Sequence, residues 1–296
     1  MALRIATIGR NGQTARAIAA VTAGDATITL TQAGSAEADL RDAQSLERFI
    51  DTARPDVVIN AGAYNFVDRA ESEPDEAMRI NADGPRVLAQ ICRALGLPFI
   101  HMSTDCVFDG TSPTPYTEAD APNPLSAYGR SKLAGEQAVA ATYPAAITTR
   151  VCWVYSEFAD NFVSKLVGFA RARPELQVVS DQFGPPTYAP DIARALVSLA
   201  RELHGRAGDL PPLLHIAAPW TTDRASMARD IMQESKRQGG PFAEIHPVPT
   251  ATFNAPAHRP LNARLCGALA TQRLGLSWTP WPEGLARSLA GILTRG

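Results

Sequence analysis

Tyr128 and Lys132 have the residue types and the spacing of a proton donor and its activating group. Four residues apart on a helix, they would lie on one face as neighbours. A phenol, with a reference pKa of about 10, is a poor proton donor or base at neutral pH unless its anion is stabilised. An ammonium group one turn away lowers that pKa. The pair predicts proton transfer with a substrate, and the alternative is an exposed Tyr and Lys on a surface helix.

A polar segment that contains Thr104 and Asp105 follows an apolar run, at the point where a strand would end. Ligands in open α/β sheets bind outside the carboxyl ends of the strands. A threonine hydroxyl there can hydrogen-bond a carbonyl oxygen that gains negative charge as hydride arrives. Thr104 is therefore a candidate catalytic residue, and the alternative is a polar turn that leaves a strand.

The segment from Gly9 to Ala15 reads GxxGxxA and separates the first apolar run from a helix-length segment. The first glycine permits a sharp turn, the second lets a pyrophosphate approach the backbone, and a small third residue lets helix and strand pack. Glycines also occur in strand–helix turns for steric reasons alone, but this placement favours dinucleotide binding. The predicted cofactor contacts in this loop are Gly9, Arg10, Asn11, Gly12 and Gln13.

The type of nicotinamide cofactor depends on charge near the second apolar run, which ends without the acid that usually holds the adenosine ribose. Arg10 could instead meet a 2′-phosphate, which favours NADPH and leaves NADH open; the alternative is a solvated surface arginine. Asp39 and Leu40 could hold the adenine or cap a helix that begins near Asp42. Small residues after the third apolar run would leave room for the cofactor; they are Ala61, Gly62 and Ala63.

A sheet is needed to bring these separated residues together, and the apolar pattern predicts one. Short apolar runs, which we interpret as strands, alternate with Ala-rich helix-length segments, an alternation that indicates βαβ units. The fold class is therefore α/β, with a Rossmann-type doubly wound parallel sheet. The helix that carries Tyr128 is predicted to begin at Pro124 with Asn123 as its cap. Strands are predicted over 3–8, 27–30, 56–60, 98–102, 146–151 and 176–179, and helices over 43–53 and 74–95.

Prolines multiply after about residue 151, and the alternation loosens there. We therefore predict an NAD(P)-binding Rossmann domain over residues 1–151. Residues 152–296 would form a smaller, mainly substrate-binding part, with some segments returning to the main sheet.

Composition excludes several classes of protein. A formal net charge of -2 and a pI near 6.2, without a basic stripe, argue against a nucleic-acid-binding protein. No apolar stretch is long enough to span a bilayer, and the N-terminal apolar run is too short for a signal peptide. The 4 cysteines lie far apart without a CxxC pattern, which predicts free thiols, no metal site and a cytoplasmic protein.

Taken together, these residues resemble the extended short-chain dehydrogenase/reductase family. The match runs from Gly9 to about Leu265, and its densest parts read STDCVFDG over 103–110, PYTE over 115–118 and YGRSKLAGE over 128–136. Further matching segments are NAGAY over 60–64, RVCWVY over 150–155, DQFGPPT over 181–187 and the Arg259–Pro260 pair. This set is far more specific than the Tyr–Lys spacing alone.

The resemblance implies an NAD(P)H-dependent oxidoreductase of nucleotide-sugar biosynthesis that reduces the C4 keto group of a dTDP-activated 6-deoxysugar. Tyr128 would donate a proton to the C4 oxygen. Lys132 would lower the pKa of Tyr128 and bind the nicotinamide ribose. Thr104 would polarise the keto group.

The resemblance also implies substrate contacts. Asp105 would join Thr104 and Tyr128 there, Trp153 would pack against the sugar ring, and Arg259 would lie near the diphosphate. For Trp153 a role in the core is an equal alternative. Cys106 stands where the family has Tyr, and Asn65 stands where it has Thr. Both would border the substrate pocket, so the exact sugar stays open.

Two other functions stay open at this point. One is a reductase or epimerase for a different nucleotide sugar. The other is a non-catalytic NADP-binding regulatory homologue, against which the intact Tyr128, Lys132 and Thr104 argue. The sequence does not determine the oligomeric state, and a homodimer is compatible with it.

Overall fold

Strands and helices alternate along the first half of the chain, as the apolar runs predicted. A computed structural model describes residues 2–205 and 210–295. The strands are β1 (Leu3–Ile8), β2 (Ile28–Ala33), β3 (Val57–Asn60), β4 (Phe99–Thr104), β5 (Ile147–Val151), β6 (Val154–Tyr155), β7 (Glu175–Val179), β8 (Phe183–Gly184), β9 (Thr187–Tyr188), β10 (Leu213–Ile216), β11 (Thr222–Asp223) and β12 (Glu244–Val248). The α-helices are α1 (Gln13–Thr22), α2 (Ala43–Ala53), α3 (Pro74–Met78), α4 (Gly84–Leu95), α5 (Ala127–Thr142), α6 (Phe162–Ala170), α7 (Ala189–Gly205), α8 (Arg224–Arg237), α9 (Ala268–Leu274) and α10 (Trp281–Leu293).

The central sheet has six parallel strands in the order β10-β5-β4-β3-β1-β2, which confirms the predicted Rossmann-type fold class. Every residue of β3, β4 and β5 is buried, as expected for strands covered by helices on both faces. Strand order reverses between β1 and β3, and a crevice for a ligand opens at such a switch point. Gly9 and Ala61 follow these two strands directly.

Two apolar layers hold the sheet. On one face, Ile18 of α1 and Leu196 of α7 belong to a single buried cluster with residues of β1 and β3. On the other face, Leu46 of α2 and Leu88 of α4 are fully buried in a second cluster. The two layers exclude water from the sheet and leave its carboxyl edge open for a site.

The second half of the chain contributes to the main sheet and also builds a core of its own. Strand β10 joins the edge of the sheet beside β5. The predicted strand over 176–179 is instead part of β7, which pairs with β12 in a separate two-stranded sheet. Helices α6, α8 and α10 bury Val163, Ile231 and Leu289 in a further apolar cluster next to that pair.

The helix predicted over 74–95 is divided. A π-helical turn, Arg79–Asp83, separates α3 from α4. Pro85 has no N–H to donate to the preceding turn, which favours an irregularity there. Within the turn, Asn81 binds both the N–H and the C=O of Tyr64 and donates to Ser131 of α5 at 2.9 Å. The irregular turn thus ties the loop after β3 to the helix that carries the candidate tyrosine.

The predicted start of α5 was wrong. Its N-cap is Ser126, whose Oγ accepts the N–H of Gly129 at 3.0 Å. Asn123 lies in the loop before the helix, where its amide donates to Asp109 at 3.0 Å and its N–H bonds the carbonyl of Val107. The shift moves the start to Ala127.

In residues 2–205 and 210–295, no helix combines the length and the apolar character needed to cross a membrane.

Candidate functional site

The turn after β1 has the backbone geometry that close approach of a phosphate requires. Gly9 has a φ of 100°, and a Cβ there would lie 2.6 Å from the backbone N of Gly62. Only glycine fits such a position. Gly12 is the N-cap of α1. It has no side chain that could accept a hydrogen bond, so no cap side chain occupies the first N–H groups of α1. A helix N-terminus of this kind suits an anion.

Two cavities adjoin along the carboxyl edge of the sheet. The first, of about 430 Å³, is lined by predicted cofactor contacts that include Gly9, Asn11 and Leu40. The second, of about 480 Å³, is lined by the predicted catalytic residues. Both cavities share the lining residues Gly12, Ala61, Gly62, Ala63 and Asn65. The structure therefore brings the predicted cofactor and catalytic residues to one continuous groove, except for Arg10, which lines neither cavity.

Arg10 is paired with an acid that the sequence analysis missed. Its Nη2 lies 2.9 Å from Oε1 of Glu37, and both side chains are 46% exposed. The other carboxylate oxygen of Glu37 accepts the N–H of Gly34, and this bond and Arg10 hold the pKa of Glu37 below its usual range. Glu37 escaped attention because it stands four residues after β2 rather than at its end.

Asp39 does not cap a helix. Its carboxylate pairs with Arg41 at 2.7 Å, and this guanidinium lowers the pKa of Asp39. The cap of α2 is Asp42, which accepts the N–H of Gln44. Asp39 still lines the first cavity, so a cofactor bound there could reach it, and the predicted contact stays a prediction.

Tyr128 lies at the floor of the second cavity, 8% exposed, with Oη 3.4 Å from Oδ1 of Asn65. Burial raises the pKa of the Tyr128 phenol, and the neighbouring Cys106 and Asp105 raise it further. A hydrogen bond with Thr104 opposes these effects, and the net shift is upward rather than the lowering predicted from Lys132. The phenol is held fully protonated at neutral pH.

Lys132 follows Tyr128 by one helical turn and is buried. Its Nζ donates to the carbonyl oxygen of Met102 at 2.7 Å. Burial lowers the pKa of Lys132 to about 8, against a smaller opposing effect of Glu136. The ammonium group is thus fixed at the end of β4, where it is still charged at neutral pH.

Thr104 and Asp105 form a hydrogen-bonded pair at the end of β4. The Thr104 hydroxyl donates to Oδ1 of Asp105 at 2.9 Å and accepts the N–H of Cys106 at 3.2 Å. Burial raises the pKa of Asp105 to about 6, against the opposing effects of Thr104 and Arg224. To donate to a substrate oxygen, the Thr104 hydroxyl must rotate away from Asp105.

Trp153 lines the second cavity, but both faces of its ring are covered. A Cβ at Gly184 would lie 2.5–2.8 Å from three adjoining ring atoms, two of them the ring-fusion carbons, so Gly184 sits over one face. The guanidinium carbon of Arg224 lies 3.5 Å from the ring centre. Because two groups this close would overlap on one face, Arg224 covers the other. A sugar can therefore meet the face of Trp153 only after Arg224 moves.

Arg259 lies beside the second cavity rather than among its lining residues. Two nitrogens of its guanidinium contact the two carboxylate oxygens of Asp68, each at 2.9 Å. This fork holds the pKa of Asp68 below its usual range. A diphosphate would have to compete with Asp68 for Arg259.

Arg224, the first residue of α8, is the lining residue that sequence reasoning missed. Nothing in its local sequence distinguishes it from a surface arginine. It reaches the cavity because α8 packs beside α6, where Phe162 lies 4.8 Å from its guanidinium.

Comparisons with known proteins agree with this geometry. Residues 3–293 match the family model described as the RmlD substrate binding domain. A dTDP-4-dehydrorhamnose reductase of Sinorhizobium fredii is 38% identical over 295 residues, which covers 99% of both chains.

Two solved structures named dTDP-4-dehydrorhamnose reductase share the architecture. The protein of Clostridium acetobutylicum superposes with a TM-score of 0.88 at 30% identity and 99% coverage of both chains. The protein of Bacillus anthracis, solved in complex with NADP, has a TM-score of 0.86 at 27% identity and 100% coverage of both. The resemblance to extended short-chain dehydrogenases/reductases is thereby confirmed, and the chain belongs to the dTDP-4-dehydrorhamnose reductase family.

Proposed function

We propose that this protein reduces dTDP-4-dehydro-L-rhamnose to dTDP-L-rhamnose with NADPH, and that NADH is a weaker alternative. One observation carries the proposal. Tyr128, Lys132 and Thr104 line a cavity that continues into the glycine loop after β1. The substrate is inferred from membership of the family. The groove is long enough for the sugar to lie in one cavity and the cofactor in the next.

The residues present fit a nicotinamide dinucleotide. The positive φ of Gly9 and the first turn of α1 suit its pyrophosphate, and the shared cavity wall of Ala61, Gly62 and Ala63 leaves room beside it. The predicted adenine contacts Asp39 and Leu40 line the first cavity. When bound, the cofactor would supply the hydride to the sugar C4.

Tyr128 is the proposed proton donor to the C4 oxygen. Its raised pKa keeps the phenol protonated before reaction but makes it a weaker acid. Proton transfer to the C4 oxygen therefore requires that the charge of Lys132 stabilise the phenolate once cofactor and substrate are bound. Its burial keeps competing water from the phenol. Lys132 is proposed to bind the nicotinamide ribose, Thr104 and Asp105 to hold the keto oxygen, and Trp153 and Arg259 to contact the rest of the substrate.

The decisive assay supplies dTDP-4-dehydro-L-rhamnose generated in situ and follows the loss of reduced nicotinamide. We expect NADPH oxidation with dTDP-L-rhamnose as the product. Oxidation only with a different nucleotide sugar would replace the proposed substrate. Cofactor binding without any oxidation would favour the non-catalytic regulatory homologue.

Arg10→Ala is expected to weaken the binding of NADPH far more than the binding of NADH. The Arg10–Glu37 pair is half exposed and screened by solvent, so a 2′-phosphate can displace Glu37. A charged hydrogen bond contributes ~1.5–3 kcal/mol, so NADPH affinity should fall by about 10- to 100-fold. Glu37→Gln should instead strengthen the binding of NADPH relative to that of NADH. Fluorescence titration of both cofactors tests this, and equal losses for the two in Arg10→Ala would exclude the contact.

NADPH affinity is expected to decline as the pH rises through about 8, because Lys132 loses its charge there. The decline should reach about tenfold, the loss of one charged hydrogen bond to the ribose. Titrations from neutral pH upward would show it in the wild type and in Lys236→Met, an exposed lysine of α8. Lys132→Met should bind more weakly and without this dependence, and a flat wild-type profile would contradict the role.

We also propose the division into a Rossmann domain, 1–151, and a mainly substrate-binding part, 152–296. The four free cysteines suit the cytoplasm, where thiols stay reduced. A homodimer is proposed for the assembly, and light scattering of the purified protein would test it.

A further inference from the structure

Arg224 is a half-buried cation that forms no ion pair with a carboxylate among the described residues. In the described part of the chain, no carboxylate oxygen lies within the 4.0 Å of an ion pair with Arg224, while Arg259, Arg10 and Arg150 each have one. Its guanidinium makes one weak contact, from Nη1 to Sδ of Met227 at 3.9 Å. Among the residues that the structure describes, the other N–H donors of the guanidinium make no hydrogen bond.

The surroundings of Arg224 hold it in the substrate cavity without neutralising it. Trp153 and Phe162 pack against the guanidinium, with ring centres 3.5 and 4.8 Å from its central carbon. Burial lowers the pKa of Arg224 to about 10, so the group is still charged at neutral pH. A partly desolvated cation whose facing carboxylate, Asp105, lies beyond ion-pair distance favours binding of a further anion.

The charged neighbours point to the same conclusion. Asp105 faces Arg224, but its carboxylate is already engaged by the Thr104 hydroxyl. Arg259 also faces Arg224 and disfavours its charge, while its own fork is occupied by Asp68. Of the two arginines beside the cavity, Arg224 is the one free to receive an anion.

We propose that Arg224 binds the diphosphate of the nucleotide-sugar substrate and leaves the face of Trp153 as it does so. This inference rests on the proposed function, because a nucleotide sugar carries its negative charge on the diphosphate. The planar guanidinium can pair with two phosphate oxygens at once. Movement of Arg224 toward the diphosphate uncovers the ring of Trp153, so one side chain couples diphosphate binding to sugar packing.

The test uses calorimetric titration of dTDP, which lacks the sugar, into the protein saturated with NADP. Arg224→Gln is expected to weaken dTDP by about 10- to 100-fold, and Arg224→Lys by less, because the lysine keeps the charge but not the fork. Thymidine, which lacks phosphate, should show no such difference. Arg229→Gln on the exposed side of α8 is the matched control and should bind dTDP like the wild type.

The outcomes separate the two proposals. If the wild type binds no dTDP, the proposed function fails. If the wild type binds dTDP and Arg224→Gln binds it equally well, only the role of Arg224 is overturned. Equal losses for dTDP and thymidine would also overturn it, because the effect would then not involve phosphate. Unchanged NADP affinity in every variant confirms that each one is folded.

Discussion

Tyr128→Phe is expected to lower turnover by about 10²- to 10⁴-fold, the usual contribution of a positioned proton donor. Phenylalanine fills the same buried space and removes only the hydroxyl. That hydroxyl contacts Oδ1 of Asn65 at a long 3.4 Å and interacts with Thr104 in the cavity, so its loss should disturb neither the helix nor the groove. Affinity for NADPH should therefore stay nearly unchanged while the rate with dTDP-4-dehydro-L-rhamnose collapses.

Tyr143→Phe is the matched control, because Tyr143 directly follows α5 and packs into the apolar cluster around α2 and α4. It should retain full turnover. Steady-state rates and cofactor titrations on both variants test the prediction. Turnover near that of the wild type in Tyr128→Phe would exclude the phenol as the proton donor.

The features predicted correctly from the sequence depend on short-range spacing. The glycine loop could be recognised because a sharp turn at Gly9 and a small residue at Ala15 are local requirements. Tyr128 and Lys132 are four residues apart, so they share a helix face even if the predicted first residue of the helix is wrong by a few positions. That is why the wrong cap, Asn123, did not displace the pair.

The features that sequence reasoning missed depend on contacts between distant segments. Ser126 and Asn123 are both suitable cap residues, and contacts with distant residues, the amide of Asn123 to Asp109 and its N–H to Val107, hold Asn123 in the preceding loop. Arg224 reaches Trp153 only because α8 and the loop after β5 meet in space.

The acidity of Tyr128 shows a balance that spacing alone cannot predict. A lysine one turn away was expected to lower the pKa of the phenol, yet burial raises it and Lys132 bonds the carbonyl of Met102 instead. Depth below the surface depends on how α5 packs on β4, which no local pattern contains.

Arg150→Met is expected to lower the free energy of unfolding by about 3–5 kcal/mol. Arg150 of β5 pairs through two nitrogens with Glu136 of α5, at 2.9 and 2.6 Å, and the two side chains are 3% and 9% exposed. Methionine fills much of the volume but leaves the Glu136 carboxylate buried without a partner. Urea unfolding at neutral pH measures the loss.

Two further variants separate this explanation from a simple packing defect. Arg150→Met combined with Glu136→Leu removes both charges and should recover most of the lost stability. Arg130→Met on the exposed face of α5 should change stability by less than about 0.5 kcal/mol. If the double variant is no more stable than Arg150→Met alone, an unpaired carboxylate is not the cause. Glu136 lies one turn beyond Lys132 and favours its charge, so a stable double variant with weakened NADPH binding would show that the buried pair also supports Lys132.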